Sequence, residues 1–282
     1  MSAPQSVSFQ VGGVALAGAV WEAAKPKGAV VLVHGFNSSR GEFGDLPQRL
    51  AEAGYTTLAF DQRGYGASEG ETGRTSVDSA LEDVHAASAE LRRSHPGLPQ
   101  AVVGHSLGAD YAIAALGRSD DFVAGIAAHP FDSLFGQLAW FEKAGYHVLG
   151  RISESKMARG KPAGTIPYKL AYDNLFVSKK AALAARNDAF LLGRVSLANY
   201  RPALTMSTVA WAKQVTKPVL VLSSPNDKAL KPGQSRAVFD ALAGSKEFRE
   251  HAGGHSLWRD IDGAVVAGWC IAWLDQHLGG QR

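Results

Sequence analysis

One serine stands in a sequence setting that would make its hydroxyl a nucleophile. Ser106 is the centre of Gly104-His105-Ser106-Leu107-Gly108, a G-x-S-x-G pattern between a Val-rich run and a helical run that begins at Ala109. A sharp turn from strand to helix exposes the hydroxyl, and glycines two residues to either side let neighbouring backbone approach. The sequence therefore predicts Ser106 as the nucleophile of acyl transfer. The alternative is a serine that only caps a helix.

A serine hydroxyl needs a base within hydrogen-bond reach and an acid that orients this base. Enzymes with such a turn carry their triad in the order serine, acid, histidine, each after a strand. Asp227 follows the apolar run at residues 218–224, and His255 follows a second strand pattern in the glycine-rich loop that contains Gly253 and Gly254. We predict His255 as the base and Asp227 as the acid. Asp132, after the preceding strand, is the rival acid.

Acyl transfer also needs hydrogen-bond donors for the negative oxygen of the tetrahedral intermediate. One predicted donor is the backbone N–H of Leu107, directly after the nucleophile. The other is the backbone N–H of Phe36 in His34-Gly35-Phe36-Asn37, which follows an early apolar strand. The alternative is that Gly35 simply permits a turn.

Other reactive residue types point to no further chemistry. Cys270 is the only cysteine and lies in an apolar periodic stretch, so we expect a buried structural thiol; a nucleophilic cysteine would need a neighbouring base. The chain contains no H-E-x-x-H pattern, and we expect no metal and no cofactor.

The candidate residues require a mostly parallel sheet flanked by helices. Short buried-strand patterns alternate with helical patterns at 46–55 and 76–97, as in an α/β fold. The predicted strands are residues 29–35, 56–61, 101–106, 125–130 and 218–224, preceded by an antiparallel hairpin at 6–21 that turns at Gly12 and Gly13.

The alternation of strands and helices breaks after Pro130 and resumes near Val215. We predict a core formed by residues 1–130 and 213–282, with residues 131–212 as a helical cap inserted after the sixth strand. Residues 135–152 and 178–195 are its predicted helices. Four aromatic residues near its start would either pack inside the cap or line a ligand pocket: Phe131, Phe135, Trp140 and Phe141.

The predicted cap is strongly basic. It holds eleven Lys or Arg against five Asp or Glu, a net charge of +6, whereas the rest of the chain carries −3. Two explanations stay open, a solvated helical surface and a field that attracts an anionic ester. The basic residues concerned include Lys156, Arg159, Lys161, Lys169, Lys179, Lys180, Arg186, Arg194 and Arg201.

The bulk properties exclude several classes of protein. The net charge of +3 over 282 residues is too small to indicate a nucleic-acid partner. The first residues lack a signal-peptide pattern, and no apolar stretch is long enough to predict a transmembrane segment. We therefore expect a cytoplasmic protein that acts on a small-molecule ester or acyl substrate. The oligomeric state stays open.

The chain resembles the α/β-hydrolase superfamily, and within it the branch of monoglyceride-lipase-like, lysophospholipase-like and serine-aminopeptidase-like hydrolases. The resemblance rests on VLVHGFNSS (31–39), AFDQRGYGASEGE (59–71), VVGHSLGA (102–109), PNDKAL (225–230) and GGHSLW (253–258). It implies a cofactor-free ester hydrolase with the triad named above, and a structural role for the loop that starts at Asp61. Thioesters and amides are cleaved by the same machinery, and a ligand receptor on this scaffold is the competing class.

One departure from the family pattern concerns the acyl pocket. The chain has HGFN where one lipase group has HGGG, so Phe36 is expected to project a ring into the pocket.

Overall fold

The computed structural model describes residues 3–133, 140–167, 172–187, 190–199 and 206–279. Its strands are β1 Gln5–Val11, β2 Val14–Trp21, β3 Gly28–Val33, β4 Tyr55–Phe60, β5 Gln100–His105, β6 Ala124–Ala128, β7 Thr165–Pro167, β8 Arg194–Ser196, β9 Val219–Ser223 and β10 Lys246–Glu250. Eight of them form one sheet in the order β1-β2-β4-β3-β5-β6-β9-β10. The pairs β1–β2 and β2–β4 are antiparallel and the remaining pairs of this sheet are parallel. The predicted α/β fold is confirmed.

Burial of the strands explains their composition. Every residue of β3, β4, β5 and β6 is buried, because helices cover both faces of a mostly parallel sheet. The hairpin of β1 and β2 turns at Gly12 and Gly13, whose φ angles are 55° and 80°. Two successive positive φ angles are those of a type I′ turn, which matches the twist of a hairpin.

Helices pack on both faces of the sheet. Their bounds are α1 Leu46–Glu52, α2 Val77–Ser94, α3 Leu107–Arg118, α4 Trp140–Met157, α5 Tyr172–Leu175, α6 Lys179–Asn187, α7 Thr208–Ala212, α8 Gln234–Ala241 and α9 Gly263–Leu278. Short 3-10 helices occur at Arg40–Phe43, Leu197–Asn199 and Leu257–Arg259. Apolar residues of α2, α3 and α8 share one core cluster with the sheet, and those of α1 and α9 share the other. Cys270 lies buried in the second cluster, as predicted.

The helix boundaries follow local capping chemistry. Helix α2 starts after Ser76, whose hydroxyl accepts from the N–H of Ser79 while the Ser79 hydroxyl accepts from the Ser76 N–H, a reciprocal capping box. The same helix ends before His95-Pro96-Gly97, the predicted stop. A proline at this place disfavours continuation of the helix at the preceding residue.

Residues 131–212 lie between β6 and β9 and contain α4 to α7. The predicted helix at 178–195 is wrong in its last part, because α6 ends at Asn187 and β8 begins at Arg194. Gly193 has a φ of 70°, which breaks a helix, and the β-branched Val195 is buried in an antiparallel pair with β7. Phe135 lies outside the described residues.

The parallel strands converge at one edge of the sheet. β3, β5, β6, β9 and β10 are successive neighbours, so their carboxyl ends lie side by side. His34, His105, His129 and His251 each end or directly follow one of these strands, and His255 lies in the loop after the last of them. Five of the nine histidines therefore gather at this edge. Over the part of the chain that is described, no helix combines the length and the hydropathy needed to cross a membrane.

Candidate active site

Ser106 occupies a strained turn between β5 and α3. Its φ is 53° and its ψ is −123°, a region that residues other than glycine rarely adopt and that clusters at functional sites. Close backbone contacts leave no room for a side chain at either of the flanking glycines, Gly104 and Gly108. A Cβ added to Gly104 would lie 2.1 Å from the carbonyl oxygen of Gly108, and one added to Gly108 would lie 2.1 Å from that of Val33.

His255 and Asp227 form a hydrogen-bonded pair. The Nδ1 atom of His255 lies 2.7 Å from Oδ2 of Asp227. A carboxylate only accepts, so Nδ1 carries the hydrogen and Nε2 of the neutral ring keeps the lone pair that a base needs. The other carboxylate oxygen of Asp227 accepts from the N–H groups of Ala229 at 2.7 Å and Leu230 at 3.2 Å. Burial acts to raise the pKa of Asp227, but the imidazoles of His255 and His129 outweigh it and hold this pKa well below its ordinary value.

Asp132 lies in a different environment. Its Oδ1 accepts from the hydroxyl of Ser207 at 2.9 Å and from the N–H of Val209 at 3.0 Å. Its carbonyl oxygen accepts from the N–H of Thr208 at 3.0 Å. These contacts hold the start of α7. Asp227 therefore contacts His255, whereas Asp132 contacts the C-terminal end of the inserted segment.

Ser106 and His255 line the same cavity, which has a volume of about 420 Å³. Both residues that were predicted to supply oxyanion donors, Phe36 and Leu107, line it as well. Leu107 is the first residue of α3, where a backbone N–H has no acceptor within the helix. Phe131 is buried and lines the cavity, whereas Trp140 and Phe141 are 79% and 62% exposed and do not.

A buried ion pair anchors two loops of the site. Oε1 of Glu42 accepts from the N–H of Gly35 at 2.7 Å and lies 3.2 Å from Nδ1 of His105. Nε2 of His105 lies 2.8 Å from the carbonyl oxygen of His255. Both ring nitrogens of His105 thus face acceptors, which favours the doubly protonated ring. Burial opposes charge on both groups, but their mutual attraction lowers the pKa of Glu42 and raises that of His105.

The inserted segment is tied to the loop of His255 through one carboxylate. Oδ2 of Asp260 accepts from the N–H groups of Val177 at 2.6 Å and Gly254 at 2.7 Å. Oδ1 accepts from the N–H of Ser178 at 3.0 Å. In addition, a Cβ on Gly254 would lie 2.7 Å from the carbonyl oxygen of Leu175. The two segments are therefore in close backbone contact.

The described basic residues of the inserted segment are not part of the cavity wall. Within the described ranges, the wall residues that belong to this segment are Phe131, Asn174, Leu175, Phe190, Leu191, Asn199 and Met206. Lys169 and Arg201 lie outside those ranges. Lys228, an exposed residue next to Asp227, is the single lysine or arginine among the described residues of the wall.

Three groups at the site have atoms of the kind that bind metals. Among described residues, His129, Asp227 and His255 each place one such atom within 4.8 Å of the others. Both Nδ1 to Oδ2 distances are 2.7 Å, shorter than the roughly 3.3 Å between ligands on a tetrahedral zinc with bonds of about 2.0 Å. The geometry is that of two N–H donors on one carboxylate.

Sequence reasoning missed Glu42, His105, His129, His251 and Asp260. The available signal was the recurrence of histidines at the ends of neighbouring parallel strands, which places them at one edge once the strand order is known. Glu42 and Asp260 had no such signal. They act through backbone N–H groups that become neighbours only in the folded chain.

The doubly covered sheet with a strained serine turn after β5 defines an α/β-hydrolase. A family model described as "Serine aminopeptidase, S33" matches residues 24–262. The chain belongs to this family of hydrolases.

Relatives with assigned activities are also similar to the chain. A monoacylglycerol lipase of Mycolicibacterium smegmatis is 27% identical over 280 residues, which cover 95% of each chain. A 2-(acetamidomethylene)succinate hydrolase of Mesorhizobium japonicum is 38% identical over 211 residues, 71% of each chain. The crystal structure of the Paleococcus ferrophilus monoacylglycerol lipase has a TM-score of 0.78 at 26% identity and covers 93% of this chain and 99% of that one.

Proposed function

We propose that this protein is a serine hydrolase that cleaves carboxylic esters through an acyl-enzyme. The observation that carries the proposal is the 2.7 Å contact between His255 and Asp227 beside the cavity that Ser106 lines. This pair leaves Nε2 of His255 free to accept a proton, which is what an unactivated serine hydroxyl requires.

The reaction begins when Oγ of Ser106 bonds to the ester carbonyl carbon and Nε2 of His255 takes the hydroxyl proton. Negative charge develops on the carbonyl oxygen, where the N–H groups of Phe36 and Leu107 stabilise it. The tetrahedral intermediate collapses with loss of the alcohol, which receives the proton from His255. Water then attacks the acyl-enzyme in the same way and releases the acid and Ser106.

The cavity favours an acyl group of apolar character. Its wall contains Phe36, Leu107, Phe131, Phe190 and Met206, and apolar walls with a few polar groups are typical of small-molecule sites. Two similar proteins are named monoacylglycerol lipases, which supports an ester of a small alcohol. In this proposal residues 131–212 form a cap over the site in a cytoplasmic enzyme.

An anionic substrate is a second candidate, favoured by Lys228 at the cavity wall. The similar hydrolase from Mesorhizobium japonicum is named for a substituted succinate. The positive charge that matters is then Lys228 and not the basic surface of the cap.

Labelling with a fluorophosphonate tests the proposal, because this probe phosphonylates an activated serine. We expect stoichiometric modification of Ser106, shown by mass spectrometry of the labelled peptide, followed by turnover in a screen of ester, thioester and peptide substrates. A protein that binds esters tightly without labelling or turnover would instead be a receptor on a hydrolase scaffold.

A further inference from the structure

The carboxylate of Asp227 contacts a second imidazole besides that of His255. Nδ1 of His129 lies 2.7 Å from Oδ2 of Asp227, the same oxygen that His255 contacts at 2.7 Å. The His129 side chain is 1% exposed. Because the carboxylate can only accept, each Nδ1 atom carries a hydrogen. Asp227 thus receives two N–H groups on one oxygen.

A third histidine contacts the other ring nitrogen of His129. Nε2 of His129 lies 2.9 Å from Nε2 of His251. Neutral His129 with its hydrogen on Nδ1 has a bare Nε2, so His251 is the donor in this contact. Adding a proton to His129 would place two N–H groups against each other. Burial, with the neighbouring His255 and His251, accordingly lowers the pKa of His129 to about 3 despite the attraction of Asp227.

On its other side His251 faces Asp262. Nδ1 of His251 lies 3.6 Å from Oδ2 of Asp262, beyond hydrogen-bond distance. That carboxylate accepts from the N–H groups of Ala252 at 2.6 Å and Gly253 at 3.1 Å. Burial lowers the pKa of His251, with Asp262 and Asp227 acting in the opposite direction. His251 therefore lies between two carboxylates and donates towards Asp227 through His129.

We propose that His129 is a positioning residue that holds Asp227 and disperses its charge, with His251 donating to the bare Nε2 of His129. The inference rests on the proposed function, in which Asp227 stabilises the protonated ring of His255. A carboxylate with a second donor attracts that proton less strongly than one with a single donor. Loss of the donor from His129 is therefore expected to move the acid limb of activity to higher pH.

A test of the role of His129 has to distinguish its effect from the effects of the titratable groups that face it. They are Asp227, His255 and His251, and the ring of His105 at a centroid distance of 6.0 Å. His251 faces His129 and Asp262, with Asp227 and His105 acting over a longer distance. His105 is paired with Glu42 on its other side.

The backbone at His129 determines the choice of variants. Its φ is 53°, a left-handed conformation in which asparagine is enriched. The amide nitrogen of asparagine is also separated from Cα by the same number of bonds as Nδ1 of histidine. His129→Asn therefore keeps a donor for Asp227 and loses the contact with His251. His129→Leu loses both.

The first experiment follows the rate of fluorophosphonate labelling of Ser106 against pH in wild type, His129→Leu and His129→Asn. In His129→Leu we expect a rate at neutral pH reduced by about tenfold and an acid limb displaced upward by about half to one pH unit, the order produced by removing one hydrogen bond from a carboxylate. In His129→Asn we expect the acid limb to return to the wild-type position.

The possible outcomes separate the inference from the proposed function. A wild-type acid limb in His129→Leu overturns the inference, as does an equal loss in both variants with the limb unmoved, which would indicate packing alone. If wild type itself is not labelled, the proposed function fails and the inference with it.

A second experiment determines the tautomers of the histidines directly and does not depend on catalytic turnover. In ¹⁵N-histidine-labelled protein, long-range proton–nitrogen spectra should place the hydrogen of His129 on Nδ1 and that of His251 on Nε2. His251→Phe keeps a ring but removes the donor to Nε2 of His129, and the hydrogen of His129 should stay on Nδ1, where Asp227 accepts it. A hydrogen fixed on Nε2 of His129 in wild type would overturn the assignment.

Discussion

Oδ1 of Asp132 accepts a hydrogen bond from the hydroxyl of Ser207 at 2.9 Å, across the two ends of the inserted segment. This contact gives Asp132, the rival acid at the sheet edge, a structural role. Asp132 follows β6 and Asp227 follows β9, and these strands are neighbours, so the two positions differ by little in the sequence pattern. The two aspartates differ in their hydrogen-bond partners, since Asp227 contacts His255 and Asp132 contacts Ser207.

We predict that Asp227→Asn is far more damaging to catalysis than Asp132→Asn. An amide in place of the carboxylate can donate to Nδ1 of His255 and so favours the tautomer that cannot take the serine proton, a change that costs about 10⁴-fold in a serine protease. Asp132→Asn keeps an oxygen that can accept the same two hydrogen bonds, so it should change the unfolding free energy by less than about 1 kcal/mol. Both variants are compared in ester hydrolysis and urea unfolding; the reverse ranking of activities would assign the acid to Asp132.

We predict that Ser106→Ala keeps the fold and loses turnover by several orders of magnitude, as removal of a triad nucleophile does. The residual rate should reflect binding and the oxyanion donors alone. Hydrolysis of p-nitrophenyl esters is the measurement, with circular dichroism as the check on folding. Activity at the parental rate would exclude Ser106 as the nucleophile.

We predict that ester hydrolysis falls as the pH is lowered through roughly 6 to 7, the range in which a histidine base takes up a proton. A protonated ring has no lone pair for the hydroxyl of Ser106. The profile of kcat/KM against pH is measured together with near-UV circular dichroism, so that acid unfolding is recognised. A flat profile down to pH 5 would contradict the role of His255.

The ion pair of Glu42 and His105 makes a pH-dependent contribution to stability. The raised pKa of His105 stabilises the fold below its ordinary value of 6.5 and stops doing so as the pH rises through the raised value. The lowered pKa of Glu42 stabilises the fold above its ordinary value of 4.5 and stops doing so as the pH falls through the lowered value. Between 4.5 and 6.5 both contributions are present.

We therefore predict that Glu42→Gln lowers the unfolding free energy by about 3 kcal/mol near pH 6, as loss of a buried partner does. The difference from wild type should shrink at alkaline pH. Urea unfolding at several pH values is the measurement. Arg186–Asp173 is a solvent-accessible ion pair, so Asp173→Asn is a control with a much smaller effect. An equal loss of unfolding free energy at every pH would contradict a contribution from His105.

We predict that Lys228 gives the enzyme a preference for anionic esters that weakens with salt. For matched anionic and neutral substrates, kcat/KM is measured from about 0.02 to 0.5 M NaCl, a range that shortens the screening length across pocket dimensions. Lys228→Gln should reduce the anionic value by about three- to tenfold and leave the neutral one. Lys180→Gln, on an exposed helix of the inserted segment, is the matched control. Identical salt responses of both substrates in wild type would contradict the preference.

The fold and the positions of Ser106, Asp227 and His255 could be predicted because each residue follows a strand of recognisable composition. The carboxyl ends of parallel strands lie at one edge, so the order along the chain translates into proximity. Asp227 was predicted over its rival Asp132, but the contacts that distinguish the two residues depend on loop paths of a few residues, which the sequence pattern does not contain. The chain of His129 and His251 depends on the strand order β6-β9-β10, which the sequence pattern does not contain.

The inserted segment was less predictable. Its helical periodicity indicated α4 and α6, but the predicted ends at 152 and 195 were wrong, since α4 ends at Met157 and α6 at Asn187. The three-residue strands β7 and β8 are too short to leave a period-two pattern. Its excess positive charge left two explanations open, a solvated surface and attraction of an anionic substrate. In the described part of the segment these cations do not line the cavity, as expected of charged side chains that are mostly solvated.

The carboxylate of Asp260 couples the inserted segment to the loop of His255, because it accepts hydrogen bonds from both. A movement of residues 175–178 away from the cavity would break the bonds that also hold Gly254, one residue before the base. In the proposed mechanism such a movement would displace the imidazole of His255 from Ser106. The wall at Ala229 and Leu230 is coupled to the base as well, because the N–H groups of both residues bond to the Asp227 carboxylate that orients His255.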